Sequence, residues 1–149
     1  MSATRPGTQK ARSLCAIGGG IVGMIVLTVF LTFIEVQTRS QFGFFGAIAR
    51  FSGTPDRLAL GFALFAIAGI ILWPLLFVVI EPYLPGPNLH ANGLIVGVIL
   101  WFVFLAFGAN INKPTTLVLY GVLTLLLFLV YGLTFGEVYS RLLRKRVRD

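Results

Sequence analysis

The chain has 149 residues, of which 57% are hydrophobic and only 11% are charged. Soluble domains are about a quarter charged, so this composition excludes an ordinary soluble domain and indicates a protein embedded in lipid. The formal net charge is +7. The basic residues lie at the chain ends and between the apolar segments, which favours a membrane topology over nucleic-acid binding.

The first apolar segment, about residues 14–35, follows a polar stretch that carries Arg5, Lys10 and Arg12. A signal peptide begins in the same way, but its apolar region is only about 7–15 residues long and a cleavage site between small residues follows it. We therefore expect this segment to be retained as the first transmembrane helix. Cys15 is the only cysteine, which excludes an intramolecular disulfide.

The next segment, residues 36–57, is long for a connection between two spans. A helix here would have an apolar face and an opposite, outer face that is small and weakly polar. The apolar face would consist of Phe42, Phe45, Ile48 and Ala49, and the weakly polar face of Gly43, Ala47 and Arg50. This pattern favours an interfacial helix on the outer leaflet, and the alternative is a loop docked on a partner subunit. The residues expected to contact lipid or a partner here are Phe42, Phe44 and Phe45.

Three further apolar segments, about residues 58–80, 93–110 and 115–139, approach the roughly 20 residues that cross a 30 Å hydrocarbon core. The sequence therefore predicts an all-α membrane protein with four transmembrane helices. Pro74 lies inside the second span and predicts a kink there. A basic tail, residues 140–149, follows the fourth span. The tail residues expected to contact lipid or a partner are Arg144, Lys145 and Arg146.

The distribution of Lys and Arg predicts the orientation of the chain. Three basic residues precede the first span and five follow the fourth, against three in the segment 36–57 and one between the third and fourth spans. Cytoplasmic segments carry the excess of positive charge. We therefore expect a multi-pass protein of the cell membrane with both termini in the cytoplasm.

Glycine pairs four residues apart occur in three of the spans. They are Gly19 and Gly23, Gly93 and Gly97, and Gly132 and Gly136. Such pairs let helix backbones approach closely in lipid, and we expect the first and third spans to cross at them. Residues 19–25 resemble residues 93–99, and the second and fourth spans both end in Glu-x-Tyr, at 81–83 and 137–139. These repeats suggest two tandem helical hairpins related by a pseudo-two-fold axis, with chance similarity as the alternative.

Ionisable groups inside a membrane are the usual markers of a functional site. Glu35, Glu81 and Glu137 all lie near predicted span ends, and Glu137 is spaced to pair with Arg141 on the next helical turn. His90 is the only histidine, so the chain alone cannot provide the two axial ligands of a bis-histidine haem; a helix-capping or headgroup contact is favoured. The sequence thus predicts no catalytic, cofactor-binding or metal-binding residue, and lipid is the one ligand expected.

Several short motifs extend across the second half of the chain. They are Trp73-Pro74, Leu84-Pro85, Gly93-Leu94-Ile95-Val96-Gly97 with Trp101, and Tyr131-Gly132-Leu133-Thr134-Phe135-Gly136-Glu137-Val138-Tyr139. Over most of residues 58–142 the chain resembles a family of uncharacterised small four-helix membrane proteins, some of which look like companions of terminal-oxidase or other respiratory subunits. The resemblance implies a non-catalytic accessory subunit that packs against other integral membrane subunits.

Two other function classes stay open from the sequence. A small oligomeric transporter or channel needs polar residues that converge on a water-filled path. The candidates are Glu81, Glu137, Asn110 and Asn112. A membrane enzyme acting on lipid or quinone would rest on Glu81, Tyr83 and His90, whose proximity in sequence is its only support.

Overall fold

A computed structural model describes residues 6–37, 44–108 and 114–148. Within these ranges the chain is helical with short connections and contains no strand. Four helices are long and apolar enough to cross a membrane by length and composition. They are Gln9–Gln37, Leu58–Tyr83, Leu89–Ala106 and Val118–Arg146. The predicted all-α fold with four spans is confirmed.

Six α-helices, one π-helical segment and one 3₁₀ turn make up the described chain. They are, in order, α1 Pro6–Gln37, α2 Phe44–Phe51, α3 Leu58–Ile67, the π-helical segment Ala68–Leu72, α4 Trp73–Ile80, the 3₁₀ turn Glu81–Tyr83, α5 Leu89–Gly108 and α6 Pro114–Arg148. The second span consists of α3, the π-helical segment, α4 and the turn. Helices α1 and α6 continue past the predicted apolar segments. Because α6 extends to Arg148, most of the basic tail is helical.

Helix α6 lies at the centre of the packing. It contacts α1 along one side and α5 along another, and the second span packs mainly on α1. The short helix α2 bridges the remaining gap, because it packs on both α3 and α5. The four spans therefore surround an interior that α2 closes at one end.

The glycine pairs lie where α6 meets its two neighbours. A methyl group placed on Gly19 would lie 3.0 Å from the carbonyl oxygen of Phe135 in α6, and one on Gly97 would lie 2.7 Å from that of Phe128. Gly93 approaches Gly132 more closely still. The glycines of α1 and of α5 thus both face α6, and the expectation that the first and third spans cross at them is wrong.

The two repeated glycine segments have different surroundings from those a symmetric pair of hairpins would create. A two-fold axis would place Gly19 against the second span, as Gly93 lies against the fourth. Instead Gly19 contacts α6, and the neighbouring Gly20 contacts Pro74 and the carbonyl of Ile70 in the second span. The pseudo-two-fold axis stays a prediction that these contacts do not support.

Helix α2 packs into the protein. Ala47, Ile48 and Ala49 are all buried, with exposed fractions of 2% or less, and the backbone of Ala49 meets α3 at Gly61. The prediction that Ala47 lies on a weakly polar outer face is wrong, because α2 inserts its small residues between α3 and α5. Phe45 also packs inward, with its ring centroid 5.8 Å from that of Phe62.

A tight turn holds α2 against α3. Gly53 adopts a left-handed backbone conformation, with φ of 74°, which glycine tolerates without the strain a side chain would bring. The backbone N–H of Thr54 donates to the carbonyl of Ala49, and the hydroxyl of Ser52 donates to the carbonyl of Gly61 at 3.0 Å. These bonds satisfy polar groups where the chain reverses direction.

The second span changes helical register just before Pro74. The N–H of Trp73 donates to the carbonyl of Ala68, five residues back, which leaves the carbonyl of Gly69 without that donor. The next N–H in the π register would belong to Pro74, which has none. The hydroxyl of Tyr131 in α6 donates to this carbonyl at 2.6 Å. Just before Pro74, the second span thus contains a π-helical segment whose free carbonyl is satisfied from another helix. The predicted kink at Pro74 stays a prediction.

Aromatic side chains fill the interior between the spans. Phe104 of α5 contacts Phe51, Phe65 and Phe128, with ring centroids 5.3 to 6.2 Å apart. Two cavities of about 10 Å³ each adjoin this cluster. A space of that size holds about one water molecule, and its lining here is almost entirely apolar.

Candidate functional site at the basic end of the bundle

The alternation of four spans brings the start of α1, the end of the second span, the start of α5 and the end of α6 to one end of the bundle. We call it the basic end. The ionisable residues described there are Lys10, Arg12, Glu81, His90, Glu137, Arg141, Arg144, Lys145 and Arg146. The opposite end, which α2 covers, is called the α2 end.

A three-residue cluster joins α1, the second span and α6 at the basic end. A guanidinium nitrogen of Arg12 lies 2.7 Å from Oε2 of Glu81. The hydroxyl of Tyr139 donates to the same carboxylate oxygen at 3.1 Å, and Tyr139 has no exposed surface. The side chains of Arg12 and Glu81 are 25% and 14% exposed. The charge of Glu81 is thus balanced by a partner on another helix in a largely dehydrated setting.

A second cluster joins α5 to α6. Nδ1 of His90 lies 3.2 Å from Oε2 of Glu137, and Nε of Arg141 donates to Oε1 of the same carboxylate. The predicted pair between Glu137 and Arg141 is confirmed. The helix-capping interpretation of His90 is wrong, because the side-chain oxygen of Asn88 caps α5 by accepting from the N–H of Ala91 at 2.9 Å.

Together the two clusters connect all four spans through α6. Within the described ranges, no group of three or more potential ligands among His, Cys, Asp and Glu is placed to hold a metal ion. Glu81 and Glu137 each form ion pairs with basic side chains. Neither carboxylate is therefore placed to act as an unpaired base in the interior of the bundle. The arrangement is suited to holding helix ends together.

The residues of the enzyme hypothesis do not contact one another through the hydrogen bonds and ion pairs described for Glu81 and His90. Tyr83 is 86% exposed, and Glu81 bonds to Arg12 and Tyr139 instead. His90 pairs with Glu137. Tyr139 therefore takes the position beside Glu81 that the sequence suggested for Tyr83.

Sequence reasoning missed the partnership of Arg12 with Glu81. The two residues lie 69 positions apart, and no local pattern links them. The sequence did carry a signal for the other partner of Glu81, Tyr139. The second and fourth spans share a Glu-x-Tyr ending, and the tyrosine of the fourth span bonds the glutamate of the second.

The last helical turns of α6 carry exposed cations. Arg144, Lys145 and Arg146 are exposed, and Arg144 donates to the hydroxyl of Ser140 at 2.9 Å. Of the other residues predicted to contact lipid or a partner, Phe44 and Phe45 belong to α2, and Phe45 packs on Phe62. Phe42 lies outside the described residues, as does the side chain of Phe44.

Comparison with known protein families gives a match over nearly the whole chain. A family model described as a family of unknown function (DUF6789) matches residues 11–149. No curated protein and no solved structure matches the chain. The expected connection with terminal-oxidase or respiratory subunits thus stays a prediction. Because the family model spans nearly the whole sequence, the chain belongs to the DUF6789 family, whose function is unknown.

Proposed function

We propose that this chain is a non-catalytic accessory subunit of a larger membrane assembly. Respiratory and other electron-transport complexes are the first class of assembly to test. The proposal assigns the chain a structural role, carried out by packing its helices against lipid and against other integral membrane subunits.

The observation that carries the proposal is the closed, aromatic interior of the bundle. Phe65, Phe104 and Phe128 contact one another between the spans, and the adjoining cavities are too small for an organic substrate. A catalytic or cofactor site needs a pocket with converging polar groups. The two charged clusters described above, around Glu81 and Glu137, lie at the basic end of the bundle and join helices.

The outer surface supports the same role. Ile25, Val29 and Phe33 of α1 are each 58–62% exposed and lie four residues apart, so they form one apolar strip along the helix. Apolar strips of this kind suit lipid tails and the helices of a partner equally well. A subunit that binds through such surfaces needs no chemistry of its own.

The test is the mass of the assembly that contains the chain in its native membrane. A tagged chain is cross-linked in the membrane, solubilised in mild detergent and compared with the 16.3 kDa monomer. We expect stoichiometric recovery with different integral membrane proteins, and haem absorbance in the same fraction if the partner is respiratory. A monomer, or multiples of 16.3 kDa with no other protein present, would contradict the proposal.

The alternative, an oligomeric transporter or channel, has less support. Glu81 and Glu137 lie at the same end but belong to separate ion pairs, and Asn110 and Asn112 lie outside the described residues. Liposomes containing the purified chain test this alternative directly. Solute or ion flux above that of empty vesicles, abolished by replacing Glu81 with alanine, would favour it over the accessory role.

A further inference from the structure

The outward face of α6 changes from apolar to basic along a single line. Leu126 and Leu133 are 53% and 45% exposed, and they precede Arg144 by about five and three full helical turns respectively. They therefore lie on the same side of the helix as Arg144. One strip of α6 thus passes from hydrocarbon-facing leucines to a cluster of cations.

The cations on this strip share one face. Arg141, Arg144 and Lys145 are three and four residues apart, which places them side by side on a helix, and each is exposed. At about 100° per residue, the buried Tyr139 lies about 120–160° round the helix from each of the three cations, so it marks the opposite side, which faces the bundle. The three cations therefore point away from the protein.

The height of these cations matches a lipid headgroup. Arg144 lies about 16 Å along the helix axis from Leu133, at a rise of about 1.5 Å per residue. The hydrocarbon core of one leaflet is about 15 Å thick. When Leu133 lies among the acyl chains, the cations reach the level of the phosphates.

Part of the charge on this face is available for an external partner. Arg141 is engaged by Glu137, which His90 also contacts. Lys145 makes no ion pair with any carboxylate among the described residues, and Arg144 uses one nitrogen to donate to Ser140. The other guanidinium N–H groups of Arg144 and the ammonium of Lys145 are thus left to bind an anion.

We propose that Arg144 and Lys145, supported by Arg141, bind the phosphate of an anionic phospholipid whose acyl chain lies along Leu133 and Leu126. A lipid is the occupant because the face points sideways, towards the surrounding bilayer, at headgroup height. The strip combines what one lipid molecule offers, an apolar tail joined to a phosphate. The site is independent of whether the chain is an accessory subunit.

The chain offers a control variant that removes the same number of positive charges from the same end of the protein without altering the proposed lipid site. The sequence groups Arg146 with Arg144 and Lys145 as an expected contact for lipid or a partner. In the structure, however, Arg146 follows Leu143 and Tyr139 by three and seven residues, so it lies on the side of α6 that faces over the bundle and outside the proposed site. Lys10 is exposed on α1. The double variant R144Q/K145Q removes two charges from the proposed site, whereas K10Q/R146Q removes two charges from the same end of the protein and leaves the site intact.

The experiment measures lipid retention by native mass spectrometry. The full-length chain is exchanged from detergent into equal amounts of dioleoylphosphatidylglycerol and dioleoylphosphatidylcholine, and the bound ratio is counted. We expect a preference for phosphatidylglycerol that falls about five-fold for each site cation removed, in line with the attraction of one surface Lys or Arg to anionic lipid. K10Q/R146Q should retain the preference.

Three outcomes would overturn the proposal. They are no preference in the unaltered chain, an equal loss in both double variants, and displacement of the lipid by soluble glycerophosphate at equal concentration. Equal loss would mean a diffuse response to net charge, and displacement would mean that the phosphate alone is recognised. Helical content and a single elution peak verify folding, and the single variants K145Q and R146Q repeat the comparison if a double variant does not fold.

Discussion

The hydroxyl of Tyr131 on α6 donates a hydrogen bond to the backbone carbonyl of Gly69 in the second span, 2.6 Å away. That carbonyl lacks a helical donor because the register change before Pro74 removes it. The bond crosses between two helices in the middle of the bundle, where backbone groups depend on partners within the protein. It is a specific, buried connection between the second and fourth spans.

Replacing Tyr131 with phenylalanine should destabilise the protein by about 1–2 kcal/mol, because the carbonyl of Gly69 is left buried and unsatisfied. The free energy of unfolding in mixed detergent micelles measures the effect. Tyr83→Phe is the matched control, since Tyr83 is 86% exposed and its loss of a hydroxyl should be neutral.

A second substitution tests the cause of that loss. Pro74→Ala supplies an N–H to the second span, so in the Tyr131→Phe background it should recover part of the lost stability. If Tyr131→Phe proves as neutral as Tyr83→Phe, the hydrogen bond contributes nothing to folding.

Replacing Gly97 with alanine should destabilise the contact between α5 and α6 by about 1–3 kcal/mol, since overpacking of this kind forces the helices apart. The added methyl would lie 2.7 Å from the carbonyl oxygen of Phe128. Gly121→Ala is the control, because that position has nothing within 4 Å and alanine favours a helix by about 1 kcal/mol. The measurement is the melting temperature of each variant. A lower melting temperature for Gly121→Ala than for Gly97→Ala would count against this helix contact.

A double-mutant cycle should measure the link between Arg12 and Glu81. With both side chains at least three-quarters buried, we expect Arg12→Gln and Glu81→Gln to be coupled by about 1–2 kcal/mol, within the range for residues in one polar network. The same cycle on Glu137 and Arg141, whose side chains are 39% and 71% exposed, should give a smaller coupling. The prediction fails if the exposed pair is the more strongly coupled of the two.

Helix α2 should contribute to stability as part of the core. Ile48 is 2% exposed and lines one of the interior cavities, so Ile48→Ala should cost about 2–4 kcal/mol through lost burial and an enlarged cavity. Leu58→Ala provides the comparison, since Leu58 is 52% exposed. If Ile48→Ala destabilises the protein no more than Leu58→Ala does, α2 is not part of the core and the interfacial interpretation of this helix is favoured.

The orientation of the chain is testable with single cysteines. In a Cys15→Ser background, Arg57→Cys at the α2 end should react with a membrane-impermeant maleimide added to intact cells, and Lys10→Cys should react only after the cells are opened. The expectation follows from the excess of Lys and Arg at the basic end. The reverse labelling pattern would invert the proposed topology.

Local patterns predicted the features that local residues determine. The spans follow from unbroken apolar runs, and the Glu137–Arg141 pair follows from their spacing on one helix. The glycine pairs indicated close helix contacts but could not name the partner helix, because the same small surface suits any neighbour. Gly19 and Gly93 both pack against α6. The sequence did not indicate that they share this partner.

The errors at α2 and at the basic end have the same origin. The sequence interpretation of α2 relied on its phenylalanines, yet the close approach of α2 to α3 is made by the small residue Ala49 at Gly61. Likewise the bond between Arg12 and Glu81 depends on α1 lying beside the second span. Both depend on tertiary contacts that residue periodicity does not encode.

The position of α6 between α1 and α5 also bears on how the protein is made. This helix is synthesised after the other three spans, so the glycine faces of α1 and α5 leave the ribosome before the helix that covers them. During that interval, lipid or an insertion chaperone must cover those faces. The packing of α1 and α5 on α6 can therefore form only after α6 itself has been inserted, although the second span can already pack on α1 before then.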